Sequence, residues 1–426
     1  MYNKLPFILL FISLVAFIYC DKIEMQEIAP SSSFLTSNLG DIDSIELVNF
    51  TIPVSYDIEN SLAPGTFYGQ KRRLAQLQEI IDSSRNEPIK WDLRAALANE
   101  NQNMFKSDEA QGSENIRTKI DELNFDNGNT SVADDIASLA DSLVQSSQAN
   151  YLKVAVNGTA GMITTGDKKR HVSANGLEYA EVLEKSLYGA LFYDQMVDDY
   201  LSDSQSGIDN EEGNNVQSAE NYELYGTERQ HKFDEAFGYF GAMAATYPNL
   251  ANTSNGDGVF IANYTFDFSD ETEAMYGVNL AKAAMKAFIV GRSVLKAGQG
   301  DDFAQEDINE ELFNAARADI KLYVETGMAA SAIHYLNEAI ADVSEAKKLH
   351  HLSEALGFLY AMSFNSEGRF RPKESHTALT TLGWSATDSS LNGIYDINLW
   401  EVSDEQMRLA IDVIDESFPG FKNAGF

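Results

Sequence analysis

Two segments of the chain each carry a histidine and a glutamate four residues apart. The pairs are His231 with Glu235 and His350 with Glu354. Positions i and i+4 lie on one face of an α-helix, so each segment presents an imidazole beside a carboxylate. Two nitrogens and two oxygens suit zinc, iron or manganese, and helical bundles build metal sites from inward-facing His and Glu side chains. These four residues are therefore predicted to bind a divalent or ferric metal ion, with Asp234 and His351 as candidate additional ligands.

The sequence around the two pairs is repeated as well, at a separation of 119 residues. The identical residues at matched positions are His231/His350, Glu235/Glu354, Ala236/Ala355, Gly238/Gly357, Ala242/Ala361 and Met243/Met362. A repeat this long predicts a duplicated helical unit, with halves at roughly 61–250 and 251–426. If an approximate two-fold axis places the two repeated helices side by side, the four predicted ligands converge.

The matched glycines lie on the same helical face as the His–Glu pairs, opposite an apolar stripe. Glycine inside a helix costs roughly 1 kcal/mol relative to alanine, and close approach of another backbone is the usual reason for it. Gly238 and Gly357 therefore predict that this face is packed rather than solvated.

The alternative to a metal site is a structural role for the same pairs. Each His–Glu pair would then form a hydrogen bond across a helix contact and fix its register, and the protein would be a glycan- or protein-binding surface module. A metal-dependent peptidase is the third alternative. The chain has no His-Glu-x-x-His motif, no Gly-x-Ser-x-Gly elbow and no phosphate-binding loop. The sequence therefore favours a binding protein over an enzyme.

Composition limits the range of partners. The chain has 426 residues, 44% of them hydrophobic, and a formal net charge of −34. Such a charge repels nucleic acid and attracts cations, so a nucleic-acid partner is excluded. The expected partners are a metal ion or small ligand and, through an N-terminal lipid, a membrane.

The N-terminus predicts export and lipidation. Lys4 precedes an apolar run, Phe7–Tyr19, which ends directly before the only cysteine, Cys20. We predict a signal peptide at 1–19, lipid attachment at Cys20 and a tether at 20–60, with the lipid as the only membrane anchor. A plain secretory signal is the alternative, because Phe17-Ile18-Tyr19 lacks the small residue that usually precedes a lipidated cysteine. The predicted location is the cell envelope, on the periplasmic or surface face of the outer membrane.

Hydrophobic periodicity predicts an all-α fold for residues 61–426. The predicted helices are Gly69–Ser83 with a continuation over Trp91–Phe105, Ser131–Gln148, Leu177–Leu201, a helix opened by Thr227 with Gln230 in a capping box, Glu271–Ala297, Ile308–Thr326, Ala329–Val343, Lys348–Phe364 and Ser403–Phe418. Residues 151–173 predict a loop or small hairpin, and the stretch that follows Phe364 predicts a loop. Glu178, Glu181 and Glu184, three residues apart, are interpreted as a solvated helix face.

Several segments resemble a known family. They are FYGQKRRLAQLQEI, QHKFDEAFGYFGA, KLHHLSEALGF and INLWEVSDEQMRLAIDVI, in this order behind the lipoprotein-type signal. Together they are similar to an uncharacterised imelysin-like lipoprotein domain family of Bacteroidetes-type bacteria. The resemblance covers most of residues 60–426 and implies an all-helical pair of bundles in the cell envelope, often linked to iron uptake and hence to an envelope uptake partner.

The imelysin signature, Gly-x-His-x-x-Glu, is matched only in part. His351 and Glu354 have its His-to-Glu spacing, whereas the first copy has His231 and Asp234, and neither copy has the preceding glycine. The family spacing thus favours His351 as the functional histidine of the second copy, and the internal repeat favours His350.

Overall fold

The computed structural model describes residues 34–40, 45–47, 49–58, 66–101, 104–121, 123, 131–202, 226–242, 258–299, 308–385 and 392–426. The predicted signal peptide, the lipidation site Cys20 and the matched residue Met243 lie outside this part of the chain. Residues Phe34–Phe426 form one compact unit, and its division into halves near residue 250 stays a prediction.

The described residues are mostly helical. The helices are α1 (Tyr68–Ser84), α2 (Leu93–Ala98), α3 (Arg117–Ile120), α4 (Val132–Asn150), α5 (Tyr179–Leu187), α6 (Glu228–Phe240), α7 (Ile261–Asp267), α8 (Ser269–Tyr276), α9 (Leu280–Ala297), α10 (Glu310–Ala341), α11 (Glu345–Ala361), α12 (Pro372–Thr381), α13 (Asn392–Tyr395) and α14 (Asp404–Ser417). A wider π-helical segment, Tyr188–Tyr200, extends α5. Short 3₁₀ turns cover Met362–Phe364 and Phe421–Asn423. The helical fold class is confirmed, and the duplication within it stays a prediction.

A β-hairpin interrupts the helical pattern where the sequence predicts it. Strand β1 (Gly161–Thr165) pairs antiparallel with β2 (Lys168–Val172). The turn between them contains Gly166, whose φ of 63° lies in the left-handed region that glycine enters without a steric penalty. The hairpin packs against α4 and α5 and so brings the basic residues of β2 close to the start of α5.

Two helix predictions and one loop prediction are corrected by the structure. The predicted helix Glu271–Ala297 is broken between α8 and α9 by Gly277, whose φ is 73°. The two helices predicted between residues 308 and 343 are one helix, α10, because Gly327 packs against Thr265 without ending it. The loop predicted after Phe364 contains α12, which starts with a proline at its first turn, a position where the missing N–H has no helical partner.

The described part of the predicted tether, between residues 34 and 58, packs into the core. Tyr56 is fully buried and its ring stacks on Phe237 at a centroid distance of 3.8 Å. Leu35 and Leu39 are buried, and the backbone N–H of Leu39 donates to the carboxylate of Asp319 in α10. This segment therefore belongs to the folded body.

Both matched glycines allow close helix packing, as the sequence predicts, but each packs against a different helix. A Cβ on Gly238 of α6 would lie 2.7 Å from Cβ of Phe67, directly before α1. A Cβ on Gly357 of α11 would lie 2.6 Å from Cβ of Lys185 in α5. Helix α6 thus contacts α1 and the π-helical segment, while α11 lies against α5 and α10.

Candidate metal centre

The close packing of α11 on α5 places His350 between two carboxylates. Its Nδ1 lies 2.9 Å from Oε2 of Glu178, and its Nε2 lies 3.3 Å from Oε2 of Glu354. An ionised carboxylate only accepts hydrogen bonds, so Nδ1 carries a proton directed at Glu178. In the neutral ring, Nε2 then holds the lone pair and faces Glu354.

His351 is held in a similar way by the C-terminal end of α10. Its Nδ1 lies 2.8 Å from Oδ2 of Asp342, and its ring centroid lies 5.1 Å from that of His350. One potential ligand atom each of His350, His351 and Glu354 lies within 4.8 Å of the others, so these three side chains form one potential metal-ligand group. A second group with the same spacing consists of Glu178, Glu181 and His350.

Basic side chains neutralise the carboxylates on the α5 side of the site. Lys185 is buried, with Nζ 2.8 Å from Oε2 of Glu181 and 3.4 Å from Oε1 of Glu354. Arg170 of β2 lies 2.7 Å from Glu178 and 3.0 Å from Glu181. The acidic stripe of α5 is therefore paired and buried, and its interpretation as a solvated face is wrong.

The protonation states follow from this packing. Burial raises the pKa of Glu354 to about 7, although Lys185 opposes the shift. Burial disfavours the ionised form of Glu181 as well. The charges of Lys185, Arg85 and His350 outweigh this effect, and the pKa of Glu181 lies well below its usual range. Burial lowers the pKa of His350, yet Glu178 and Glu354 outweigh it and raise the pKa overall.

His351 shifts in the opposite direction from its neighbour. Burial, together with the charge of His350, lowers the pKa of His351 below its ordinary value, even though Asp342 opposes the shift. His351 is thus favoured as a neutral imidazole, the form that binds metals.

The cluster lines a cavity of about 650 Å³. Its wall contains His350, His351 and Glu354 from α11, the basic end of β2, Arg85 after α1, and the aromatic residues Tyr264 and Tyr335. The site is therefore open to a ligand rather than sealed inside the core.

The first copy of the repeat forms a separate environment. Nε2 of His231 lies 3.9 Å from Oε2 of Glu235, and Oε1 of Glu235 accepts a hydrogen bond of 2.7 Å from Gln70. Among the described residues, no potential ligand group includes a member of both copies. The predicted convergence of the two pairs is not what the structure shows.

Asp234, the candidate additional ligand of the first copy, forms a buried ion pair. Its Oδ1 lies 3.0 Å from Nε of Arg292 and accepts a hydrogen bond of 2.5 Å from Tyr56. Burial raises the pKa of Asp234 to about 6, against the opposing effect of Arg292. Asp234 therefore links α6 to α9 and to Tyr56 in the core.

Sequence reasoning missed the residues that surround His350, His351 and Glu354 of α11. Glu178 and Lys185 lie more than 160 residues before their α11 partners, and Asp342 follows a helix that the sequence divides in two. Gly357 was the available signal, because it predicts a close neighbour for this helical face, but it does not say which helix supplies that neighbour.

Among the described residues, none of the helices has the length and apolar composition of a membrane span.

Comparison with known proteins identifies a family for this chain. No curated protein and no solved structure matches the chain significantly. The family described as domain of unknown function (DUF4856) matches residues 53–418, a range that contains α1 to α14 and all residues of the α11 site. The chain belongs to the DUF4856 family.

Proposed function

We propose that this protein binds a transition-metal ion, iron or zinc, through His350, His351 and Glu354. The observation that carries the proposal is that carboxylates, Glu178 and Asp342, contact Nδ1 of the two rings at 2.9 and 2.8 Å. Metal-binding histidines usually donate their second ring N–H to a carboxylate, which fixes the ring and raises its basicity. Both rings are therefore oriented to offer Nε2 to a cation.

The ligand types support ferrous iron or zinc. Two imidazoles and one carboxylate leave coordination positions open for water or a ligand, as in non-haem iron sites and in open zinc sites. Oε1 of Glu354 contacts Lys185, so Oε2 is the oxygen available to the ion. The competing group of Glu178, Glu181 and His350 is less suitable, since Arg170 and Lys185 already neutralise its carboxylates.

The sequence extends this proposal to the cell envelope. The signal-like N-terminus and Cys20 support a lipid-anchored protein at the outer membrane, on its periplasmic or surface face. The imelysin-like segments support two related bundles, a link to iron acquisition and an envelope partner that delivers or receives the ion.

One observation favours the second candidate, a glycan- or protein-binding module with a structural His–Glu cluster. Lys185 already places a buried positive charge between Glu181 and Glu354, where a dication would otherwise gain most. In that case the ion pairs hold α5 and α11 in register and the cavity binds a ligand without a metal.

Calorimetric titration of the metal-free protein with Zn²⁺, and with Fe²⁺ under anaerobic conditions, separates the two candidates. We expect one ion per chain, and a loss of affinity of at least about tenfold in His350→Ala and in His351→Ala. His231→Ala makes the same change at the repeated position and is expected to bind as the wild type does. Absence of binding, or equal binding by all three variants, would support the structural module instead.

A further inference from the structure

The cavity beside the proposed metal ligands is larger than a metal ion requires. Its volume is about 650 Å³. Six water molecules at about 30 Å³ each occupy about 180 Å³, so a hydrated ion fills only about a third of this space. Cavities of roughly 300–1,000 Å³ are typical of sites for small organic molecules. The remaining volume therefore fits an organic ligand together with the ion.

The wall of this cavity concentrates basic residues in an acidic protein. The whole chain has 31 lysines and arginines among 426 residues and a net charge of −34. Five of the 18 residues that line the cavity are basic. They are Arg85, Lys168, Lys169, Arg170 and Lys185. Six other lining residues are acidic, so the formal charge of the wall is close to zero in a chain with a net charge of −34, and an anion is repelled less here than at the general surface.

Three of these side chains keep donors that no described residue uses. Arg85 contacts Glu181 and Glu184 through Nη2 alone, and its side chain is 42% exposed. Arg170 bonds through Nε and Nη1, which leaves Nη2 without a partner among the described residues. Lys168 is exposed, and its ammonium group has no hydrogen bond or ion pair among the described residues. Guanidinium groups with free N–H donors suit carboxylate oxygens in particular.

We propose that the cavity binds the metal as a complex with a small polycarboxylate chelator. The ion would take Nε2 of the two histidines and Oε2 of Glu354 at its open coordination positions. The carboxylates of the chelator would accept hydrogen bonds from Arg85, Arg170 and Lys168. This inference rests on the proposed metal-binding function and adds the chemical class of the ligand that accompanies the ion.

Three titrations of the full chain test the inference: Zn²⁺ alone, the Zn²⁺–nitrilotriacetate complex, and nitrilotriacetate alone. Arg85→Gln is expected to lower affinity for the complex about tenfold, and Lys168→Gln about threefold, because an ammonium group cannot make the bidentate contact of a guanidinium group. Affinity for Zn²⁺ alone should be unchanged or higher in both variants, since each removes a positive charge. Lys282→Gln, which alters an exposed lysine of α9 outside the cavity wall, is the matched control.

Two results would overturn the inference and leave the proposed function intact. One is that the wild type binds Zn²⁺ while neither the Arg85 nor the Lys168 variant loses affinity for the complex. The other is binding of nitrilotriacetate alone as tightly as the complex, which would mean that the metal plays no part in recognition. Failure of the proposed function itself is distinct: Zn²⁺ alone would not bind, and the His350 and His351 variants would bind the complex as the wild type does.

Discussion

At the scale of single residues, the structure gives His350 and His351 different parts in one site. The internal repeat favours His350 and the family spacing favours His351, yet both donate Nδ1–H to a carboxylate in the structure. The raised pKa values of His350 and Glu354 favour a proton in the space between these two side chains, while the pKa of His351 is lowered. A bound cation would replace that proton.

The contact between Asp342 and His351 gives the first prediction. Replacement of Asp342 by Asn removes the charge that orients the ring, and we expect metal affinity to fall about tenfold in a calorimetric titration. Glu345→Gln removes a charge of the same sign from the exposed start of α11 and is the control. An equal loss in both variants would show that net charge, and not ring orientation, determines the affinity.

The second prediction concerns the pH dependence of stability in metal-free protein. The pKa of Glu354 is about 7 in the folded protein, above its ordinary value of 4.5, so the folded state favours the protonated carboxyl. The stabilisation this provides is complete below about pH 4.5 and is lost as the pH rises through about 7. Glu354→Gln mimics the protonated form and cannot lose this stabilisation.

Denaturant unfolding of both proteins with a chelator present measures the effect. Between pH 5.5 and pH 8, the free energy of unfolding of the wild type should fall relative to that of Glu354→Gln. A constant difference between the two proteins over this range would contradict the raised pKa.

Part of the site was predictable from residue types and spacing. The i, i+4 rule places His350 and Glu354 on one helical face, and the matched glycine predicts that this face is packed. The partners on α5 and α10 were not predictable, because they come from distant parts of the chain. An acidic stripe such as Glu178, Glu181 and Glu184 looks the same in sequence whether it faces water or buried cations.

At the scale of secondary-structure elements, the contact between α11 and α5 sets the geometry of the site, and this gives the third prediction. Gly357→Ala places a methyl group 2.6 Å from Cβ of Lys185. Such overpacking typically costs about 1–3 kcal/mol and shifts the lysine relative to Glu181 and Glu354. We expect lower stability in denaturant unfolding and weaker metal binding in calorimetry.

Gly238→Ala is the matched control in the other repeat, because its methyl group would lie 2.7 Å from Cβ of Phe67. It should lower stability to a similar extent and leave metal affinity unchanged. Weaker metal binding in both glycine variants would mean that the two repeats act as one site.

Element boundaries were predictable where local chemistry determines them. Thr227 and Gln230 form the predicted capping box of α6, and Ser403 caps α14. The errors occur where a local signal competes with tertiary packing. Gly277 ends a helix and Gly327 does not, because the first adopts a left-handed conformation and the second accommodates Thr265.

At the scale of the whole molecule, the described residues between 34 and 58 complete the folded body, and this gives the fourth prediction. Leu35 and Leu39 are buried, and Asp319 accepts hydrogen bonds from Ser37, Asn38 and Leu39. A chain shortened to begin at Pro53 loses two buried leucines, worth about 2 kcal/mol each, and leaves the Asp319 carboxylate without these partners.

Thermal unfolding should therefore show a lower Tm for the chain that begins at Pro53 than for the full-length chain. A chain that begins at Phe34 keeps every described residue and is the control for the removal of residues 1–33. Equal Tm values for all three would mean that residues 34–52 contribute nothing to the fold.

Anomalous diffraction from crystals of the Zn²⁺-loaded protein would show directly whether His350, His351 and Glu354 bind the ion. We expect one anomalous peak per chain at about 2.1 Å from a ring nitrogen of His350, a ring nitrogen of His351 and a carboxylate oxygen of Glu354. A peak at His231 and Glu235 alone, or no peak at the α11 site in crystals grown with Zn²⁺ in excess, would contradict it.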